Sequence, residues 1–281
     1  MIKYASPTFL FRDGHAGDIL EVIRRIAACG YDGFELYGLH GKTAGQIKEV
    51  CEDCGIRVMC DHIPYLEFVA DALGIIRART YLGSPYITVD KIPPEHLPGG
   101  PKFPETVREI TRIAKACREE GVQLLYHNHG YDLIDGPTIG GKYLLEHILD
   151  ETDPDLLKFQ PDLGWIELGG GDPGYFLEKY KNRCPVVHLK DYYAAGPMRL
   201  ASAPDLGFER GGEKHNFFEF RPTGYGVVDF AKYMPAVFAC KPQWLVADHD
   251  LSYERDTFVD LEDSLLYVKK LVGLYPHLNS W

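Results

Sequence analysis

Long apolar runs are missing from this 281-residue sequence. Nothing in it approaches the roughly 20 consecutive apolar residues that a membrane-spanning helix needs. The opening MIKYASPTFL has one early Lys and small residues too soon for a leader, so it reads as a first strand. Positive charge is also scarce: 30 Lys and Arg stand against 41 Asp and Glu, a formal net charge of −11. Such a surface repels a phosphodiester backbone, so nucleic acid is not the expected partner. A Gly-rich loop after an early strand, as a doubly wound dinucleotide or phosphate binder needs, is absent too. Cysteine is present but unpaired in pattern. The seven residues (Cys29, Cys51, Cys54, Cys60, Cys117, Cys184, Cys240) are odd in number and scattered, which implies reduced thiols and a cytoplasmic location rather than a disulfide framework. Cys51 and Cys54 form one C-x-x-C inside a helical pattern, without the second ligand pair of a zinc knuckle.

What is present is alternation. Eight β-rich runs, each followed by a turn and a helical pattern, occupy Ile2–Ala5, Gly33–Leu36, Arg57–Asp61, Tyr86–Val89, Gln123–His127, Leu157–Gln160, Val186–Lys190 and Trp244–Asp248. The runs carry too few polar residues for a sheet with one wet face. Between them, Phe103, Val107, Ile110, Ile113, Ala114 and Cys117 recur at helical spacing up to a stop at Gly121. Leu261, Leu265, Val268, Leu271 and Val272 repeat the pattern in a last helix, for which Asp260 is the expected cap. With 45% hydrophobic residues there is material for one large core. Eight strand-then-helix units predict an α/β fold, a single-domain (β/α)8 TIM barrel over residues 1–281. No linker divides it. The stretch 192–225, rich in Gly, Pro and aromatics, is expected as a long loop over the active site.

In such a barrel the working residues sit at the C-terminal ends of strands. The fifth to eighth expected strands end in His127-Asn128-His129, Asp162, His188-Leu189-Lys190-Asp191 and Asp248-His249-Asp250. One His or Asp after a strand is ordinarily a cap or a loop residue. Four on consecutive strands of a closed ring can converge, so His127, Asp162, His188 and Asp248 are the candidate ligands of one divalent metal. Mixed imidazole and carboxylate donors suit Mn²⁺, Zn²⁺, Co²⁺ or Fe²⁺, with Mn or Zn favoured and Mg²⁺ also admitted.

The segments YDGFELYG (31–38), LLYHNHGYDL (124–133), FQPDLGW (159–165), VVHLKD (186–191), PTGYGVVDF (222–230) and VADHD (246–250) resemble the sugar phosphate isomerase/epimerase superfamily. These are xylose isomerase-like barrels that include tagatose 3-epimerase, inosose isomerase and inosose dehydratase. The resemblance implies four ligands, Glu, Asp, His and Glu, at the ends of strands five to eight; by position these become His127, Asp162, His188 and Asp248. In the epimerases the two Glu ligands also serve as opposing bases, and here neither is Glu. With only Asp162 and Asp248 as carboxylates the ion is formally neutralised rather than over-compensated. It would then polarise a carbonyl more strongly, while proton transfer falls to another group.

His129, Lys190 and Asp248 are the catalytic candidates. His129 is expected to titrate near neutrality, and Lys190 to have its pKa lowered beside the ion. Glu35 and His62, ending strands two and three, are expected to bind substrate hydroxyls. Trp165, with Tyr126 and Tyr192, is a candidate aromatic floor for a sugar, and Arg221 is placed to reach a substrate oxygen from the long loop. The expected activity is a metal-dependent isomerase or epimerase of a keto-sugar or cyclitol through an enediolate. A dehydratase or lyase of the same substrates is the alternative, and a non-catalytic sugar-binding barrel a further one. A three-zinc nuclease of the endonuclease IV type is disfavoured, since it needs a His where Trp165 stands and a D-x-H whose nearest match is Glu213-Lys214-His215. The resemblance also implies a possible homo-oligomer.

Overall fold

The computed structural model describes residues 2–12, 17–133, 136, 138–194, 218–253 and 255–278. Nine strands form one curled sheet: β1 Lys3–Pro7, β2 Gly33–Leu36, β3 Arg57–Pro64, β4 Tyr86–Asp90, β5 Gln123–His127, β6 Leu157–Gln160, β7 Val186–Ala194, β8 Phe218–Arg221 and β9 Trp244–Asp248. Their order is β6-β5-β4-β3-β2-β1-β9-β7-β8. Every neighbouring pair is parallel except β7–β8. The curl brings β6 back towards β7, where the His188 amide donates to Pro161 O at 2.8 Å and Asp162 and His188 form a lone parallel bridge. The eight expected strands are therefore β1 to β7 and β9, in a sheet whose seam carries one bridge instead of a full ladder.

β8 is the element the sequence pattern did not indicate. It pairs antiparallel with the outer half of β7, from Asp191↔Arg221 to Ala194↔Phe218. Residues 192–194 and 218–221 of the stretch expected as an irregular loop are thus strand, and 195–217, including Glu213-Lys214-His215, lies outside the described residues.

Alternation along the strands sorts the core into two compartments. Phe34, Val58, Ile87, Leu124, Val187 and Leu245 belong to the large cluster between sheet and helices. Ala5, Met59, Cys60, Tyr86, Leu125, Val186, Trp244 and Val246 form a second cluster on the sheet's other face, inside the curl. Gly33 makes that plug possible, because a Cβ there would meet Arg57 O and the Trp244 ring at 2.9 Å.

The helix Phe103–Glu119 buries Phe103, Ile110, Ile113, Ala114 and Cys117. It ends where Gly121 takes φ 76° and Val122 N–H returns to Cys117 O at 2.9 Å. The last helix, Thr257–Gly273, is capped by Asp256, whose side chain accepts from the Phe258 amide. Asp260, the expected cap, instead lies one turn inside the helix, buried and 3.2 Å from Arg255. All seven cysteines are free, and no helix among the described residues is long and apolar enough to cross a membrane.

Candidate functional site

The C-terminal ends of the strands surround a cavity, the usual place for a ligand in this architecture. Its lining includes Glu35, His62, Asp90, His127, His129, His188, Lys190, Asp248 and Asp250, with Phe9, Tyr37 and Trp165 as aromatic wall. Strand geometry explains the convergence. On β7, His188 and Lys190 are two residues apart and share the inner face; β9 sets Asp248 in register with Lys190. On β2 the pairing with β3 slips between Phe34 and Glu35, and such irregularities re-aim side chains. Gly164 lets the helix Leu163–Leu168 lie against β7, since a Cβ there would meet Lys190 O at 2.4 Å. Asp162 caps that helix through the Trp165 amide at 2.9 Å.

Three carboxylates and one ammonium make up one side of the floor. Lys190 Nζ donates to Asp250 at 2.7 Å, lies 2.8 Å from Asp248 and 3.8 Å from Asp162. Asp248 also accepts from His188 Nδ1 at 2.9 Å. Burial works against the Lys190 charge, but Asp248, Asp250 and Asp162 outweigh it and raise its pKa above the ordinary lysine value. Without an ion beside it, Lys190 is thus held as an ammonium, the opposite of the lowering expected for it next to a bound metal. Burial pushes the Asp162 carboxyl up to about 7 despite Lys190, whereas Lys190 and His188 overcome burial at Asp248 and hold its carboxyl well below the usual range.

The other side is built of imidazoles. The His127 ring centroid lies 4.9 Å from that of His62 and 4.7 Å from that of His188. Between His62 and His188 lies Glu35: its Oε2 is 3.2 Å from His62 Nε2 and 2.9 Å from His188 Nε2. Its Oε1 accepts from Gln160 Nε2 at 2.5 Å, and Gln160 in turn accepts from Thr88 at 3.0 Å. Burial favours neutral Glu35, yet the charges on His188 and His62 prevail and hold it at about 2. Burial likewise opposes charge on the two histidines, and Glu35 foremost lifts His62 to about 10 and His188 to about 9. His127 has no such partner, and burial lowers its pKa well below the usual value.

His129 stacks on Tyr131 with rings 7° from parallel, and its Nδ1 lies 3.3 Å from the Tyr131 hydroxyl. Burial pushes its pKa down to about 3 in spite of Asp90, so it does not titrate near neutrality as expected but stays a neutral imidazole.

The residues fit a divalent ion. Asp162, His188 and Asp248 offer ligand atoms within 4.8 Å of one another, as do His62, His127 and His188. Glu35 Oε2, His62 Nε2, His127 Nδ1, Asp162 Oδ2 and His188 Nε2 are buried without a hydrogen-bond partner, a condition that buried polar atoms in folded proteins rarely tolerate. The four expected ligands are thus neighbours. Glu35 and His62, expected only as substrate contacts, belong to the same donor cluster; the sequence signal was their position at the ends of the second and third strands.

Other expectations part company. Trp165 lines the cavity, but Tyr126 is fully buried and donates to Asp132 at 2.9 Å, and Tyr192 packs on Phe218. Arg221 is turned to Glu219 at 2.5 Å and borders a separate surface depression with Tyr253 and Arg255. Its contact with substrate in the main cavity is not supported, because the β7–β8 pairing carries it away. Asp90 and Asp250 were overlooked; each follows a strand end by position, but neither stood out from ordinary caps.

Residues 23–250 match a sequence model of the xylose isomerase-like TIM barrel, and the chain belongs to that family. Its relatives are sugar isomerases, epimerases and dehydratases. An inosose dehydratase of Bacillus cereus is 34% identical over 82 residues, which is 29% of this chain and 26% of that protein. An inosose dehydratase of Geobacillus kaustophilus is 35% identical over 82 residues, 29% of this chain and 25% of that one. The chain thus spans about a quarter of the length of the curated relatives it matches. A sugar phosphate isomerase/epimerase from Parabacteroides distasonis superposes with a TM-score of 0.72 at 20% identity, covering 96% of this chain and 94% of the other. The 3-keto-D-glucoside 4-epimerase of E. coli does so with 0.67 at 16% identity, covering 96% and 100%. At such identities the likeness is one of fold.

Proposed function

We propose that the protein is a divalent-metal-dependent isomerase or epimerase of a small carbohydrate, a keto-sugar or cyclitol, working through an enediolate. The observation that carries this reading is the cavity floor, where unpartnered buried imidazole and carboxylate atoms meet a fixed ammonium beneath an aromatic wall. The ion would be held around His188 and its donor neighbours, and when bound it supplies polarisation of a substrate carbonyl. Lys190 donates to the oxygen on which charge grows, and Asp248 with Asp250 keeps it protonated. His129, neutral and on the cavity wall, accepts the proton from the carbon beside the carbonyl and returns it. Glu35 and His62 line the floor of the same cavity. Trp165 and Phe9 present flat apolar faces to the C–H side of a sugar ring. This reading takes the chain as one domain.

Dehydration is the second reading, favoured by the local identity to inosose dehydratases. It shares the first proton removal and differs only in the departure of a β-hydroxyl as water. Incubation of the metal-loaded protein with inososes and keto-sugars in D2O separates the two. Deuterium at a carbon next to the carbonyl, without loss of water, is the expected result. Loss of water with formation of a conjugated enone or diketone selects dehydration. Neither exchange nor product with any of these substrates would sink both.

A further inference from the structure

The donor cluster offers two places for an ion, and they are not equivalent. On the Asp162–Asp248 side the carboxylates already have a cation, since Lys190 lies 2.8 Å from Asp248, 2.7 Å from Asp250 and 3.8 Å from Asp162. Asp162 has a further duty as a helix cap and is completely buried. Glu35, His62, His127 and His188, unlike Asp162, all line the cavity, as Asp248 does.

His62, His127 and His188 bring donor atoms within 4.8 Å of one another, and Glu35 stands at ligand spacing from two of them. Bonds of about 2.0–2.2 Å to one ion put adjacent donors about 3 Å apart; Glu35 Oε2 is 2.9 Å from His188 Nε2 and 3.2 Å from His62 Nε2. These are hydrogen-bond lengths, yet the angles leave all three atoms without a hydrogen bond. The outer contacts agree. His188 gives its Nδ1 side to Asp248 at 2.9 Å and His62 turns Nδ1 to Asp90 at 3.5 Å, the carboxylate–histidine arrangement that fixes the tautomer of a ligating imidazole. Gln160 pins Oε1 of Glu35 and so presents Oε2 to the two rings.

We infer that this chain holds its ion on Glu35, His62, His127 and His188, at the ends of β2, β3, β5 and β7, and that Asp248 and Asp162 are positioning residues of that centre rather than ligands. The inference rests on the metal-dependent reading above and specifies its ligand set. Three imidazoles and one carboxylate select a transition ion such as Zn²⁺, Co²⁺ or Fe²⁺ over Mg²⁺.

The test is Zn²⁺ and Co²⁺ affinity of the chelator-stripped full-length protein, by competition with a chromophoric chelator, beside the visible spectrum of the Co²⁺ form. Wild type should bind one ion, and Glu35→Gln and His62→Gln should each weaken binding at least about 100-fold and alter the Co²⁺ bands. In Glu35→Gln the amide carbonyl can still accept from Gln160, which keeps the fold while turning an NH2 towards the rings; thermal unfolding checks this, and His62→Gln gives a second reading. Asp162→Asn should change affinity by less than about 10-fold, below the loss expected of a ligand. Loss of affinity in Asp162→Asn equal to that in Glu35→Gln overturns the inference, as does full affinity in both Glu35→Gln and His62→Gln. A wild-type protein that binds neither ion fails differently, since it removes the metal-dependent function itself.

Discussion

The two sides of the cavity floor solve the same electrostatic problem in opposite ways. Around Lys190, three buried carboxylates share one covalently anchored ammonium, a cation present whatever the solution contains. Around Glu35, a single buried carboxylate faces two imidazoles that are cationic only while they keep their protons. The first side keeps its cation permanently. The second depends on protons that it can exchange, which the first does not. Buried charge is tolerated only when paired, and the difference lies in whether the partner is part of the chain.

Removing the anchored cation should therefore have the largest effect on stability. Lys190→Met leaves Asp250 buried without its ammonium and Asp248 with His188 alone, a change that costs about 3–5 kcal/mol, read as unfolding free energy of the metal-free protein in urea. Glu35→Gln, on the other side, should cost about 1 kcal/mol, since the two histidines can shed their protons and Gln keeps the contact to Gln160. Equal losses in the two variants would break the comparison and make the imidazole side as self-contained as the lysine side.

Chemistry should divide from both halves at His129. Its ring stacks on Tyr131 and lies 5.8 Å from that of Trp165, outside the network of ion pairs. His129→Asn should lower turnover by about 100-fold or more, with metal affinity and unfolding unchanged. A variant that loses metal in proportion to activity would move His129 into the donor cluster.

The fold was legible because its signal is repeated: eight apolar runs, each with a helix after it, leave little choice of architecture, and all eight lie in strands close to the expected bounds. β8 was not legible, since Phe218–Arg221 is short and pairs with the far end of β7 across the segment 195–217. Within the site, His127, Asp162, His188 and Asp248 could be found as strand ends, but their division of labour could not. That division depends on Lys190 reaching across to Asp248 and Asp250, sixty positions away, and on Glu35 meeting His188 from the other side of the curl. Protonation states followed the same distances. Lys190 holds its proton because of three carboxylates, and His129 stays neutral because burial outweighs the nearby Asp90.

The smallest effect, and the one that sharpens the comparison most, is a pH dependence belonging to one side only. His62 and His188 have folded-state pKa values raised to about 10 and about 9, from about 6.5 in an unfolded chain. A raised value means that the folded protein binds these protons more tightly, so the stability they contribute is complete below about pH 6.5. It is lost as the pH climbs through about 9 and then about 10. The chelated protein should therefore lose unfolding free energy across that window, with a limiting slope of about 1.4 kcal/mol per pH unit for each proton released. Zn²⁺ displaces the same protons, so its affinity should rise with pH over the range in which the apo protein weakens. Glu35→Gln removes the strongest upward influence on both histidines and should move the decline to lower pH. Lys190→Arg, which keeps the charge on the other side, should leave the window in place. A chelated protein equally stable at pH 6.5 and pH 10 would mean that the Glu35 side does not depend on exchangeable protons, and the contrast with Lys190 would fall.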